Sequence, residues 1–223
     1  MRTRPYLVVF ALFLATIALS QNQVNSANAV EAATDKELTR LGLTSEKLER
    51  LKSIGLDLRT AWIRHEKDTE LSQAATADAV VIGVVLRTED VPAPRDYPFH
   101  SRVFVQVVES LKGSIEIGDT IRILRQSGPL IGEALELRFS DDISVRNGER
   151  AILFMQRPSR NSFLTSAYRQ YFADGKAKID DSEYWVDFYA FHKINGGRVD
   201  FLGDRKDINE VVRNVRKIAK VLQ

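Results

Sequence analysis

Between residues 79 and 156 the chain carries five β-branched or alternating runs cut by turn residues, a pattern that permits little besides a small β structure. AVVIGVVL (79–86) is bounded by charge and reads as a buried strand. RVFVQVVESL (102–111) sets Val103, Val105 and Val107 on one face. TIRILRQ (120–126) and RAILFMQ (150–156) read the same way, and in LELRF (135–139) Leu135, Leu137 and Phe139 oppose Glu136 and Arg138. Gly113 and Gly118 fall between two runs, where the chain must turn, and Asn147-Gly148-Glu149 is a second turn signal. TEDVPAPRDYPFH (88–100) holds three prolines, which exclude helix and central strand and predict a long surface loop. Short strands with frequent turns suggest a small barrel or sandwich.

Helical patterns flank these runs. Thr44, Glu46 and Gly55 have the residue types of an N-cap, an acidic first turn and a C′ position. DLRTAWIRHEKDTELSQAATA (57–77) reads as one longer helix capped by Asp57, with Leu58, Ala61, Trp62 and His65 on one face. Asp207 and Glu210 form a D-x-x-E variant of the capping box before a strong terminal helix. Its apolar positions are Ile208, Val211, Val212, Val215, Ile218, Ala219 and Leu222, and its outer face carries Arg213, Arg216, Lys217 and Lys220. Asp174-Gly175 and Asn195-Gly196-Gly197 are hairpin-type turns. YWVDFYAFH (184–192) is aromatic on both faces. It is either a strand covered on both sides or an exposed stacking platform, and the terminal helix, which needs an apolar surface to cover, favours the first. The class expected is α+β, a small antiparallel barrel with N-terminal helices and a C-terminal amphipathic helix.

The first residues set the expected address. Arg2 and Arg4 precede the apolar run Tyr6 to Leu19, and Ala27-Asn28-Ala29 is an A-x-A cleavage pattern, with a second candidate cut after Ser20. The run is shorter than the roughly 20 residues that span a bilayer. An uncleaved N-terminal anchor is the alternative, and the one membrane attachment this reading allows. Removing the signal removes two arginines and no acid, which leaves 30 Lys and Arg against 30 Asp and Glu. A polyanion partner needs a net-positive footprint, so a nucleic-acid role has no compositional support. Cysteine is absent, which rules out disulfides, a thiol nucleophile and Cys-based zinc. With no N-x-S/T acceptor either, the chain suits a periplasmic or secreted bacterial protein.

Motifs of known chemistry are missing. There is no G-x-S-x-G elbow, phosphate-binding glycine loop or second His after His65 to complete H-E-x-x-H, and no cofactor or metal is expected. Asp141-Asp142 and Asp180-Asp181 lack the register of a calcium loop and read as solvated turns. His65 reads as a packing residue, His192 as a strand-edge residue and His100 as an exposed residue beside the proline loop. The candidate ligand contacts are Arg95, Tyr97, Phe99 and His100, because that loop gathers cationic and aromatic side chains in one short stretch.

ADAVVIGVV (77–85), VFVQVVESLKG (103–113), IGDTIRI (117–123) and NGERAILFM (147–155) occur in the order of a netrin-like module. The chain resembles that family, the OB-type barrel shared with tissue inhibitors of metalloproteinases, in its cysteine-free bacterial exported form. The resemblance implies the fold. It does not imply protease inhibition, which uses a free N-terminal Cys that this chain lacks. The expected organisation is a signal peptide at 1–29, a helical segment at 30–76, the barrel at 77–157, and hairpins with the terminal helix at 158–223, packed as one unit from 30 to 223. The expected function is non-catalytic binding of a protein or envelope ligand. A periplasmic hydrolase with dispersed carboxylates, or an envelope-associated structural protein, is the alternative.

Overall fold

The computed structural model describes residues 29–64, 69–91, 93, 97, 99–132, 136–138, 143–157, 183–186, 190–201 and 203–223. The signal segment, the Asp174-Gly175 turn, His65, Arg95 and both acid pairs lie outside these residues.

Four helices precede the sheet: α1 over 29–40, α2 (Ser45–Ser53), α3 (Leu58–Ile63) and α4 (Glu70–Thr76). The strands are β1 (Ala79–Asp90), β2 (Ser101–Lys112), β3 (Thr120–Arg125), β4 (Gly128–Pro129), β5 (Glu136–Leu137), β6 (Arg150–Met155), β7 (Glu183–Trp185), β8 (Phe191–Asn195), β9 (Arg198–Phe201) and β10 (Asp204–Asp207). Helix α5 (Ile208–Leu222) ends the chain. The class is α+β, as expected.

Eight strands form one sheet in the order β10-β9-β8-β6-β1-β2-β3-β7, a linear order that does not close. β7 runs parallel to β3, and the other pairs in this sheet are antiparallel. Just past β6, Gln156 exchanges two backbone hydrogen bonds with Trp185 of β7, at 2.9 and 2.8 Å. Among the described residues of LELRF, Glu136–Leu137 pairs with Gly128–Pro129 in a separate two-stranded ladder. The aromatic run is likewise split: Tyr184 and Trp185 lie in β7 beside β3, and Phe191 and His192 in β8 beside β6.

The inner face of β2 is as patterned, with Val103, Val105 and Val107 buried against Ile121 and Ile123 of β3. β1 and β6 are buried on both faces along most of the register they share, Ala79 to Val84 against Arg150 to Met155. Helix α5 adds Val211, Val215 and Ile218 to the same core and lies against α2, α4, β2 and β10. Asp207 caps it by accepting a hydrogen bond from Asn209 N at 2.7 Å.

The single long helix expected over 57–77 is two helices. Asp57 does cap α3, accepting from Thr60 N at 3.2 Å, but α3 ends at Ile63 and Thr69 caps a new helix through Ser72 N. Thr69 and Ser72 satisfy donors at a helix start better than inside one, so propensity favours the break.

Helix α4 has seven residues, and six of them are buried, including Glu70, Ser72, Gln73 and Thr76. Its polar groups are met from three strands. Lys112 of β2 donates to the Ala74, Ala75 and Ala77 carbonyls at 2.8, 3.0 and 2.6 Å. These are last-turn carbonyls with no partner inside the helix, where a cation is also favoured by the helix dipole. His192 Nε2 lies 2.9 Å from Gln73 Oε1, with Nδ1 3.0 Å from the Asp200 carbonyl. His192 is therefore a buried link between sheet and helix, stacked 3.9 Å from Phe201, and not a strand-edge residue. Lys206 of β10 reaches Glu70 at 3.1 Å. Burial works against the Lys206 ammonium, but Glu70 and Asp204 outweigh it and hold its pKa above the ordinary lysine value.

The glycine after Lys112 has its own reason. Gly113 has φ +94°, and a Cβ there would stand 3.0 Å from Ala79 Cβ and 3.1 Å from the Asp78 carbonyl. Asp78 meanwhile accepts from Arg157 N at 2.6 Å and donates its own N–H to the Met155 carbonyl. The Lys-Gly and Ala-Asp stretches are two sides of one junction between α4 and the sheet.

Lys112→Met should lower unfolding free energy by about 2 kcal/mol in urea titration, because three carbonyls lose a charged donor. Hydrogen exchange should quicken most in α4. The Lys206 contribution has a set pH window: its raised folded pKa means the stability is fully present below about pH 10.4 and is lost as pH rises through the folded value. Removing the partner leaves Glu70 buried and unpaired, so Lys206→Met should cost about 3–5 kcal/mol at neutral pH and abolish that alkaline loss.

Candidate ligand-binding face

The outer face of β1-β2-β3-β7 is set by register. Phe104 of β2 stands opposite Arg87 of β1 and Arg122 of β3, and Arg122 stands opposite Glu183 of β7. Directly opposed residues share a face, so these four cross the sheet as one row. The next row is Glu89, Arg102, Leu124 and Trp185. A bulge sets the first row. Val85 pairs with Val105 but Arg87 pairs with Phe104, so Leu86 is an extra residue that shifts Arg87 into place beside Phe104.

The Arg87 guanidinium lies 3.8 Å above the Phe104 ring centroid. It is also 3.7 Å from Glu89, with both side chains more than half exposed. Arg102 Nε donates to Glu183 Oε1 at 2.8 Å, and the Glu183 side chain is only 4% exposed. Gln106 and Thr120, a further opposed pair, are exposed beyond Phe104. The face therefore offers a half-buried ring, the Arg87 guanidinium above it, Arg122 on the neighbouring strand, and an amide and a hydroxyl.

One end of this face is closed by aromatic packing. Phe99 and Leu124 are buried, with Tyr97 and Trp185 packed against them. The Phe99 and Trp185 rings are 5.8 Å apart, and Tyr97 meets Phe99 edge-on at 6.2 Å. Of the residues expected to bind a ligand, Arg95 lies outside the described residues, Tyr97 is half-buried at the rim, and Phe99 and His100 are buried. His100 is 1% exposed, against the expectation of an exposed residue. The reason is main-chain pairing that starts before β2. His100 N donates to the Arg125 carbonyl, and its own carbonyl accepts from Val91 N. The ring places Nδ1 3.2 Å from the Pro129 carbonyl and leaves Nε2 buried without a partner. Gly128 lies so close that a Cβ there would overlap the His100 main chain.

Arg87, Phe104 and Arg122 were not among the expected contacts. Alternation along β2 marks Phe104 as outward, but which residues of β1 and β3 stand beside it depends on the bulge and the pairing. Among the described residues, no group of three or more His, Asp or Glu is arranged to hold a metal ion.

A concave region lies between α1, α2 and α3, a cleft of about 320 Å³. Leu48, Leu58 and Ile63 line it beside Glu31, Glu49 and the Arg59–Asp35 ion pair. Comparison with protein-family models gives no match, and comparison with curated proteins gives none.

Phe99→Ala should cost about 3–5 kcal/mol in chemical denaturation, as for a large buried ring. Tyr97→Ala, at the rim of the same cluster, should cost about 1–2 kcal/mol.

Proposed function

We propose that this chain is an exported, non-catalytic binding protein on an OB-type barrel, and that it takes its ligand on the outer face of β1-β2-β3. The observation that carries this reading is the row Arg87–Phe104–Arg122, which sets cationic residues on the strands to both sides of one ring on an accessible strand face. OB barrels bind along such a face and through the loops beside it. The barrel itself is supported by the parallel β3-β7 pair and by the bridge from Gln156 to Trp185, which brings the strand beyond β3 back to the end of β6. The netrin-like resemblance agrees with this order of strands.

The chemistry of the face favours an extended anionic ligand with an apolar or planar part. Two strand spacings separate Arg87 from Arg122, about 10 Å. A carboxylate would meet the exposed Arg87 guanidinium, and a flat group running toward β3 would lie on Phe104. Acidic peptides and peptidoglycan fragments have these features. The Tyr97 rim continues the aromatic surface toward the proline loop, so that loop is an edge of the site and not its centre.

A thermal-shift screen of the full chain against metals, neutral sugars, acidic peptides and peptidoglycan fragments tests the reading. A ligand at 100 times its Kd adds about 2.7 kcal/mol to the native state. An acidic peptide or peptidoglycan fragment should raise Tm, and Phe104→Ala with Arg122→Gln should remove the rise while leaving the ligand-free fold cooperative. A rise that survives both substitutions places binding elsewhere. Turnover of a fragment, lost on His100→Ala, would support a hydrolase instead.

A further inference from the structure

Helix α5 carries its charge as a stripe of one sign. Arg213, Arg216, Lys217 and Lys220 follow at steps of three, one and three, which lines them along one side of the helix. All four are exposed, opposite the buried Val211, Val215, Ile218 and Ala219. After Glu210 no acid occurs before the chain ends. Arg216 reaches Glu109 of β2 at 2.8 Å, and among the described residues Arg213, Lys217 and Lys220 make no ion pair.

This arrangement works against the helix. Like charges three or four residues apart repel, and the stripe contains four such pairs: 213 with 216, 213 with 217, 216 with 220, and 217 with 220. The rest of the chain after residue 29 has 26 Lys and Arg against 30 acids, so the positive charge is segregated and not a general property of the protein. A self-repelling stripe is relieved by an anionic partner. The seven residue steps from Arg213 to Lys220 place the stripe over about 10 Å of straight, convex surface. That shape suits a flat charged surface better than a small anion, which a concave site would enclose.

We propose that α5 docks the protein on an anionic lipid surface through Arg213, Lys217 and Lys220, with Arg216 alongside. Its apolar side is already used in the core, so the attraction is electrostatic and sensitive to salt. The apolar run at 6–19 supplies a second membrane signal in the same chain if it is retained, and stable attachment takes two. This surface is separate from the β1-β2-β3 face, and the two proposals stand or fall independently.

The test is co-sedimentation of the full chain with phosphatidylcholine vesicles, with and without phosphatidylglycerol. The apolar N-terminal run is common to every sample. Three proteins are compared: the unaltered chain, the triple variant R213Q/K217Q/K220Q, and a control, K36Q/K52Q/R198Q, with the same net charge. Arg216 stays in place because it holds Glu109. The unaltered chain and the control should bind phosphatidylglycerol vesicles in preference, with the preference fading as salt rises. The triple variant should need about tenfold or more lipid for the same binding. Equal binding by the triple variant and the unaltered chain would overturn the proposal, as would an equal loss in the control. Capture of soluble dextran sulfate through the stripe, with no preference for phosphatidylglycerol, would also overturn it by assigning the stripe to a polymer.

Discussion

The arrangement rests on the burial of a short polar helix. Helix α4 lies against the sheet and α5 with Glu70, Ser72, Gln73 and Thr76 out of water. Seven residues are too few to hold a helix by themselves, and buried polar groups cost free energy unless each finds a partner. Ser72 and Thr76 bond to the cap and within the helix, while the last carbonyls, Gln73 and Glu70 are met from three strands far apart in sequence by Lys112, His192 and Lys206. The helix can therefore sit in place only when β2, β8 and β10 are already in register. This is why a lysine, a histidine and a glutamate that resemble site residues are structural here.

The same junction explains the Lys-Gly stretch after β2. Lys112 needs a long cationic arm to reach last-turn carbonyls, and Gly113 needs a missing side chain where the chain passes Ala79. Neither requirement involves a ligand. On the outer face of the sheet a single extra residue at Leu86 sets Arg87 against Phe104. Residues pointing inward or toward α4 hold the fold.

Much of the local structure was legible. Caps at Thr44, Asp57 and Asp207 follow from side chains that accept hydrogen bonds from free helix N–H groups, and each is found in place. The inward face of β2 follows from its period of two. The broken helix before α4 was missed because its apolar spacing continues through a break that capping residues dictate. LELRF does contain a strand at Glu136–Leu137, but clean alternation does not say which strand will pair with it. His100 was read as exposed because prolines surround it, whereas backbone pairing with Arg125 draws it inside.

By itself the sequence determined the α+β class, the central strands in AVVIGVVL, RVFVQVVESL, TIRILRQ and RAILFMQ, the helix caps and the lack of any thiol chemistry. Each depends on neighbours within a few residues or on composition alone. Only the tertiary structure decided that YWVDFYAFH divides between two separated strands, that α4 is clamped by three distant side chains, and that Arg87, Phe104 and Arg122 form a row. Those outcomes depend on strand order, on a bulge and on β3 pairing in parallel with β7. Such features are fixed by contacts between residues 17 to 136 positions apart, which no local spacing encodes.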